Sequence, residues 1–255
     1  MPIDSSGKRC VWVTGASSGI GEALAKRLAA DGYVVAVSAR NADALAALAD
    51  TPRLGRIVPF PLDVTDAAKV AETVEEIERH CGELHTAVLN AGTYQSMAAT
   101  AFSADEARRQ IDVNLGGIVN ALEPLLERMC ARQRGHIALV GSLTSRFGLP
   151  NAGVYGATKA ALVNLAEALR VECARDGITI QIVNPGFVKT PLTDKNSFPM
   201  PFLVPVDRAA GIIAERLHGD RFEVAFPWQM SCAMGLLGKL PRFLAFAVTR
   251  RMVGS

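Results

Sequence analysis

Short runs of consecutive apolar residues alternate along this chain with longer segments in which apolar residues recur every three or four positions. Continuous apolar runs predict strands that are buried on both faces, and the longer period predicts helices. The predicted strands span residues 10–14, 34–38, 57–61, 86–89, 136–140 and 179–183, with a possible seventh at 222–226. The predicted helices span residues 20–31, 42–49, 66–80, 104–130, 154–176 and 206–218.

This regular alternation predicts an α/β fold built on a single doubly wound parallel sheet of the Rossmann type, with helices on both faces. Ser103 and Glu106 form a capping-box pattern at the start of the fourth helix, and Gly177 is suited to end the fifth. No internal repeat or low-complexity linker divides the chain. We therefore predict a catalytic domain over residues 1–226, with residues 227–255 as a helical extension of the same domain.

A glycine-rich turn joins the first predicted strand to the first helix, with Gly15, Gly19 and Gly21 as its glycines. Glycine lets the backbone approach a pyrophosphate closely, and the helix N-terminus offers free N–H groups and a positive dipole end. The spacing differs from the commoner G-x-G-x-x-G pattern, and a turn with no ligand is the alternative. The strand before it and the helix after it favour a dinucleotide site.

The end of the second strand indicates which dinucleotide is bound. An NAD site usually has an Asp or Glu there, which accepts hydrogen bonds from the ribose hydroxyls. Here the position is taken by Arg40, and no carboxylate follows until Asp43. Because a guanidinium can bind a 2′-phosphate with two hydrogen bonds, we expect NADP(H) rather than NAD(H). A solvated arginine is the alternative.

Two further segments follow the third and fourth strands and should lie at the same edge of the sheet. Asp63, followed by Val64, can accept a hydrogen bond from the adenine amino group. Asn90, Ala91 and Gly92 offer an edge of small residues to the adenine ribose. Each could instead be a loop residue that only caps a turn. Their positions at successive strand ends favour a role in cofactor binding.

Tyr155 and Lys159 are four residues apart in a predicted helix, which places them on one face. A carbonyl that is being reduced must receive a proton, and a free tyrosine, with a pKa of about 10, is a poor acid–base group near neutrality. A lysine ammonium about 4 Å away would favour the phenolate by about 4 kcal/mol. Ser142 could donate to the same substrate oxygen, and Asn114 could hold open a helical turn through which water reaches Lys159.

These motifs occur in the order seen in short-chain dehydrogenases/reductases, and residues 8–220 resemble the compact branch of that family. The resemblance implies that Tyr155 is the acid–base, Ser142 positions the substrate, Lys159 binds the nicotinamide ribose and the tyrosine, and Asn114 completes a proton relay. It also implies hydride transfer between a nicotinamide and a carbonyl or secondary alcohol. The implied cofactor-binding residues are Gly15, Ser17, Ser18, Gly19, Ile20, Gly21, Arg40, Asp63, Val64, Asn90, Ala91, Gly92, Tyr155, Lys159, Pro185, Gly186, Val188 and Thr190.

Two other functions remain open at this stage. Longer relatives of the same fold are epimerases or dehydratases, but they usually carry a larger C-terminal substrate domain than the roughly 30 residues that follow the last predicted strand here. A non-catalytic protein that senses the cofactor would not need the complete set of four polar residues. An oxidoreductase is therefore the favoured function.

The segment 187–205 should fold over the substrate, and its Phe, Leu and Met content indicates an apolar ligand. Its two lysines, Lys189 and Lys195, could be solvated or could bind an anion. Residues 224–255 contain no Asp or Glu and should form two short helices, 228–237 and 241–251. We expect these helices to cover the cleft or a neighbouring subunit, with peripheral membrane contact as the alternative.

Composition sets the remaining expectations. A net charge of +2 gives no reason to expect nucleic-acid binding, and no basic stripe with interleaved aromatics occurs before the C-terminal tail. The N-terminus lacks an apolar signal segment, and the five scattered cysteines fit reduced, packed thiols, so we expect a cytoplasmic protein. The resemblance implies a homodimer or homotetramer, and small residues on the fourth and fifth helices would allow close packing across a two-fold axis: Gly116, Gly117, Ala160, Ala161 and Ala168.

Overall fold

The computed structural model describes residues 10–50, 54–194, 198–217 and 219–251. Its strands form one parallel sheet in the order β3-β2-β1-β4-β5-β6-β7. Their bounds are β1 Cys10–Thr14, β2 Val34–Ser38, β3 Arg56–Pro59, β4 Leu84–Leu89, β5 Gly135–Val140, β6 Ile178–Pro185 and β7 Glu223–Phe226. The predicted fold class is confirmed, including the seventh strand.

The α-helices of the described residues cover both faces of this sheet. They are α1 Gly19–Ala30, α2 Ala42–Ala49, α3 Ala67–Cys81, α4 Ala104–Ile111, α5 Gly117–Ala131, α6 Gly153–Cys173, α7 Val206–Arg216, α8 Trp228–Lys239 and α9 Arg242–Arg250. The predicted end of the sixth helix, at His218, lies outside the described residues. Among the described residues, no helix combines the length and apolar character needed to cross a membrane.

The apolar core has two layers because successive strand residues point to opposite faces of the sheet. Trp12 lies in the layer that α3, α5 and α6 cover, and its neighbour Val13 lies in the layer that α1, α2 and α7 cover. Both side chains are completely buried. This double cover explains why the strands appear in the sequence as continuous apolar runs rather than as alternating ones.

The predicted helix 104–130 is three pieces in the structure. Helix α4 ends at Ile111, five residues at Asp112–Gly116 form a π-helical turn, and α5 follows. The buried side chain of Asn114 lies in the wide turn and hydrogen-bonds both backbone groups of Thr93. That polar anchor stabilises the irregular turn, and apolar periodicity could not show it.

The predicted helix end at Gly177 is confirmed. The predicted capping box is present only in its Ser103 half, because the Glu106 carboxylate pairs with Arg109. The side chain of Ser103 accepts a hydrogen bond from the backbone N–H of Glu106 and so caps α4. Gly177 adopts the left-handed conformation, with φ of +69°, and ends the 3₁₀ turn that follows α6. It lies directly before β6, so the chain turns sharply from helix to strand there.

The two predicted tail helices are confirmed as α8 and α9, and α8 covers the turn that follows β5. Met230, Met234 and Leu237 of α8 form a separate apolar cluster with Leu143 and Phe147 of that turn. The tail therefore lies beside one end of the predicted catalytic residues, since the turn begins directly after Ser142.

Adjacent leucines of α8 allow a direct test of this docking. Leu237→Ala should lower the free energy of unfolding by about 2 kcal/mol or more, because Leu237 is 8% exposed and its loss leaves a cavity under the helix. Leu236, which is 64% exposed, is the matched control, and Leu236→Ala should change stability by less than about 0.5 kcal/mol. Chemical denaturation of both variants measures the difference. Equal effects would show that α8 is not seated on the turn.

Candidate active site

The glycine-rich turn has the geometry that a bound phosphate needs. Gly15 and Gly19 have φ of +67° and +59°, a conformation that favours glycine. A Cβ on Gly21 would lie 2.4 Å from the Gly15 carbonyl oxygen, so no larger residue fits without moving the backbone. Ser18 precedes the first turn of α1, and its side chain does not cap the helix. The N–H groups of that first turn are therefore open to an anion.

One hydroxyl holds this turn against the neighbouring strand. Thr14 Oγ1 accepts hydrogen bonds from the backbone N–H groups of Asn90, at 2.9 Å, and Ala91, at 3.0 Å. In return, Asn90 Nδ2 donates to the carbonyl oxygens of Thr14, at 2.9 Å, and Gly15, at 3.3 Å. The side-chain amide of Asn90 is therefore engaged in shaping the turn, and its segment offers mainly backbone and small side chains to a ligand.

A cavity of about 470 Å³ opens along the carboxyl ends of the strands. Nearly all of the predicted site residues line it: Gly15, Ser17, Ser18, Gly19, Ile20, Arg40, Asp63, Val64, Asn90, Ala91, Gly92, Ser142, Tyr155, Lys159, Pro185, Gly186, Val188 and Thr190. Two predicted residues, Gly21 and Asn114, are not part of its lining. The glycine turn at one wall and the polar residues of α6 at another fit an extended dinucleotide with its reactive end beside Tyr155.

Arg40 and Asp63 lie at the far end of this cavity. Asp63 Oδ1 accepts hydrogen bonds from the backbone N–H of Thr65, at 3.0 Å, and from its hydroxyl, at 2.8 Å. These bonds, and then the charge of Arg40, hold the pKa of Asp63 below its usual range. Asp63 therefore caps a turn, as the alternative interpretation proposed, and it lines the cavity as well.

Arg109 of α4 lines the same end of the cavity, and the sequence did not single it out. Its Nε and Nη2 donate to the two carboxylate oxygens of Glu106, at 2.8 and 2.7 Å. The sequence does not show which face of its helix Arg109 occupies or what that face contacts. Its place in the cavity wall is therefore seen only in the structure.

Lys159 is buried, with 3% of its surface exposed, and its ammonium donates a hydrogen bond to the carbonyl oxygen of Val140 at 2.7 Å. The nitrogen lies 5.7 Å from the centroid of the Tyr155 ring. Burial of the charged form lowers the pKa of Lys159 to about 8. The predicted proximity of these two side chains is present.

The direction of the Tyr155 pKa differs from our expectation. Desolvation raises the pKa of Tyr155 to about 12, and its interaction with the Ser142 side chain opposes that rise only in part. The neighbouring Tyr94 raises it further. In this structure the Lys159 ammonium is directed to the Val140 carbonyl, so burial outweighs the electrostatic lowering that the i, i+4 spacing suggested.

Asn114 is fixed on all sides. Its Oδ1 accepts from the backbone N–H of Thr93 at 2.7 Å, and its Nδ2 donates to the Thr93 carbonyl at 2.9 Å and to Thr158 Oγ1 at 3.2 Å. A Cβ built on Gly92 would lie 3.3 Å from Asn114 Oδ1 and 3.6 Å from Lys159 Nζ. Asn114 and Lys159 therefore flank the same glycine, and the wide turn that we expected around Asn114 is present.

Two groups that support the catalytic residues were missed by the sequence. The ring of Tyr94 packs edge-on against Tyr155 with centroids 5.1 Å apart. Arg146, in the turn after Ser142, donates to Glu223 Oε1 and to the Ser231 carbonyl oxygen, both at 2.8 Å. Its partners are far away in sequence, in β7 and α8, so no local pattern could reveal this link.

The segment after β6 closes the cavity through its own hydrogen bonds. The backbone N–H of Thr190 donates to Thr193 Oγ1 at 3.1 Å, and that hydroxyl donates to the Val188 carbonyl at 2.6 Å. Lys189 forms an ion pair with Asp194, so it is not free to bind an anion. Lys195, the other lysine of the segment, lies outside the described residues.

Comparison with known proteins gives consistent matches. The family model described as short chain dehydrogenase matches residues 9–199. A Myxococcus xanthus protein described as an uncharacterized oxidoreductase is 36% identical over 246 residues, which cover 96% of this chain and 97% of the relative. A 3-oxoacyl-[acyl-carrier-protein] reductase of Aggregatibacter actinomycetemcomitans is 33% identical and covers 84% of this chain and 88% of its own length.

Solved structures agree with this assignment. A short-chain dehydrogenase from Sphingobium yanoikuyae, in complex with NADPH, has a TM-score of 0.77 and 26% identity, covering 91% of this chain and 96% of its own. An alcohol dehydrogenase from the archaeon Thermococcus sibiricus, complexed with 5-hydroxy-NADP, has a TM-score of 0.78 and 27% identity, with coverage of 86% and 96%.

The buried ammonium predicts a distinctive pH dependence of stability. The pKa of Lys159 is about 8 in the folded chain, against 10.5 for an ordinary lysine, so between these values the unfolded chain holds one more proton. The free energy of unfolding should therefore rise with pH across this window, by an amount on the order of 3 kcal/mol. Lys159→Met should remove that rise. Urea denaturation of both proteins at several pH values measures the two slopes.

Methionine also loses the hydrogen bond to Val140, which shifts the whole curve by a constant. Only the difference in slope reports on the titration of Lys159. Parallel curves for the two proteins would contradict the lowered pKa.

Proposed function

The chain belongs to the short-chain dehydrogenase/reductase family, and on that premise we propose that it is an NADP(H)-dependent oxidoreductase acting on a carbonyl or secondary alcohol of an apolar substrate. One observation carries the proposal. A single cavity brings the glycine turn and Arg40 together with Ser142, Tyr155 and Lys159. The match to the family model and the relatives that are named as oxidoreductases support the same class of reaction.

In this proposal the chain supplies the proton chemistry and the positioning. The bound nicotinamide would supply or accept the hydride. The Tyr155 hydroxyl exchanges a proton with the substrate oxygen, and the Ser142 hydroxyl donates to the same oxygen and holds it in place. Lys159 binds the ribose and replenishes the proton of Tyr155, with Asn114 and the wide turn around it as the path to solvent.

The pKa values describe the protonation states from which the proposed reaction starts. A tyrosine whose pKa is raised to about 12 is protonated near neutrality, which is the form that protonates the developing alkoxide in carbonyl reduction, although it is a weaker donor than a free tyrosine. Lys159, with a pKa lowered to about 8, releases a proton more readily than an ordinary lysine and is suited to reprotonate the phenolate.

Arg40 supports NADP(H) over NAD(H). It is exposed at the end of β2, and the acidic side chain nearest to it in the cavity lining, Asp63, is bonded to Thr65. The NADPH complex of the Sphingobium protein and the 5-hydroxy-NADP complex of the Thermococcus protein are in keeping with this choice.

The side chains near the Ser142 end of the cavity support an apolar substrate. Phe187 packs against Phe198 with ring centroids 5.8 Å apart, and it also contacts the cluster that α8 forms with the turn after Ser142. The acyl substrate class in the name of the Aggregatibacter relative is apolar as well. We therefore place fatty, steroid-like or aromatic ketones ahead of sugars.

We also propose a homodimer or homotetramer in the cytoplasm. Val119 of α5 and Val171 of α6 are 50% and 74% exposed, which leaves apolar surface for a partner copy on those helices. Gly117 does not contribute to that interface, because it faces Val64 of the same chain: a Cβ built on Gly117 would lie 2.5 Å from the Val64 side chain. All five cysteines are free thiols, which suits a reducing compartment.

Tyr155→Phe tests the chemistry. The variant keeps the ring but loses the proton donor, so turnover of NADPH with a ketone substrate should fall by at least about 10²-fold while affinity for NADPH stays near that of the native protein. Steady-state rates and a binding titration measure the two quantities. Tyr33→Phe, outside the cavity lining, is the control. Undiminished turnover in the purified Tyr155 variant would sink the assignment.

Arg40→Asp tests the cofactor. It replaces the phosphate partner with a like charge, so NADPH binding should weaken by about 2 kcal/mol, roughly thirtyfold, while NADH binding is spared. Arg109→Asp is the comparison, because Arg109 lies at the same end but is already paired with Glu106 and should matter less. If the native protein prefers NADH, Arg40 is a surface residue only.

A further inference from the structure

The last helix buries its smallest side chains and leaves its large apolar ones exposed. In α9, Ala245 is fully buried and Thr249, one turn later, is 6% exposed. Phe243 is 72% exposed, and Phe246 is 50% exposed although one side of its ring lies against Phe147. A surface helix of a globular protein normally has the opposite orientation, with its large apolar residues inward.

Helix α8 continues this outward apolar surface. Its inner side is seated on the turn after β5, but Trp228, Cys232 and Leu236, spaced by four residues, are exposed on its outer side. Trp228 and Leu236 are 71% and 64% exposed. We call the following residues the tail surface: Trp228, Leu236, Phe243, Leu244, Phe246 and Val248.

This concentration is more than ordinary scatter. Single exposed apolar residues are normal on any protein, whereas clustered ones mark an interaction site. The tail surface holds six of the fourteen large hydrophobic side chains that are most exposed among the described residues. It occupies only two short helices, so the two helices are built to meet something apolar.

Charge identifies the partner. Residues 224–255 carry Lys239, Arg242, Arg250 and Arg251 and no acidic residue. All four basic residues are exposed, and none forms an ion pair within the described part of the chain. Arg242 stacks on the ring of Phe147 at 5.5 Å, which holds its charge beside the apolar face. Basic residues around aromatic and aliphatic ones fit the boundary between anionic headgroups and acyl chains.

A second copy of this chain fits the tail surface less well. A two-fold interface places the same patch on both partners, so the four cations of one copy would face those of the other. The patch has no carboxylate to neutralise them. An anionic surface would instead attract the four cations. A neutral apolar partner would offer them no opposite charge.

We propose that α8 and α9 lie flat on an anionic phospholipid bilayer, with the tail surface in the interfacial layer and the four basic residues at the headgroups. Each helix is far too short to span the bilayer, so the contact is peripheral and reversible. The docked side of α8 contacts the turn after Ser142, so this orientation places one end of the cavity near the membrane surface.

Flotation with vesicles tests the proposal with the full-length protein. The protein should float with phosphatidylcholine vesicles that contain phosphatidylglycerol, and much less with phosphatidylcholine alone. Raising the salt concentration should release it, because headgroup attraction is screened. The triple variant Trp228→Ser, Leu236→Ser, Phe243→Ser and the double variant Arg250→Glu, Arg251→Glu should each reduce the bound fraction at least about tenfold.

Matched controls separate the tail from general surface effects. Leu54→Ser with Phe102→Ser removes equally exposed apolar side chains elsewhere, at 74% and 60% exposure, and should leave flotation unchanged. Arg175→Glu with Arg208→Glu reverses two exposed charges outside the tail and should also have little effect. Every variant should keep the native melting temperature and NADPH affinity, which distinguishes lost docking from misfolding.

Three results would overturn the proposal. One is no flotation with anionic vesicles at low salt. Another is flotation that the tail variants do not reduce. The third is a drop in molar mass by light scattering for the triple variant with no loss of vesicle binding, which would assign the tail surface to a partner copy instead.

Discussion

The cavity exists because two adjacent strands are held together at their ends while the chain leaves them in different directions. β1 and β4 are neighbours in the sheet, yet β2 lies beyond one and β5 beyond the other. A single hydroxyl, Thr14 Oγ1, accepts hydrogen bonds from the two backbone N–H groups that follow β4. It therefore ties the end of β1 to the end of β4. The position of the turn depends on these two bonds together with the two that Asn90 Nδ2 donates to the carbonyl oxygens of Thr14 and Gly15.

A second constraint is the burial of the Lys159 ammonium away from water. Lys159 lies next to the end of β5, where the Val140 carbonyl oxygen partly compensates for its burial, and the strand then leads directly to Ser142. The same burial raises the pKa of Tyr155 to about 12 and lowers that of Lys159 to about 8, so the two proton affinities move apart. Transfer of a proton from the Lys159 ammonium to a Tyr155 phenolate is therefore downhill, which favours reprotonation of the tyrosine in the proposed reaction.

Local patterns predicted the elements well because burial on both faces leaves a continuous apolar signal in each strand. They predicted most of the cavity lining for a related reason, as polar residues that end parallel strands meet at one edge. They failed where position depends on distant partners. The Arg146–Glu223 link, the ring of Tyr94 beside Tyr155 and the outward orientation of Phe243 are set by contacts that no window of sequence contains.

The wide turn at Asp112–Gly116 has a consequence for what the chain can tolerate. A residue added to a regular helix rotates everything after it by about 100°. The wide turn takes up one such residue. Gln110 is buried before it and Ile118 and Leu125 are buried after it, and with one residue fewer these two would lie seven and fourteen positions after Gln110, on one face of a regular helix. Removing one residue here would therefore keep the buried faces aligned but would close the turn that Asn114 occupies. The effect of such a deletion should fall on the position of Asn114 rather than on the packing of α5.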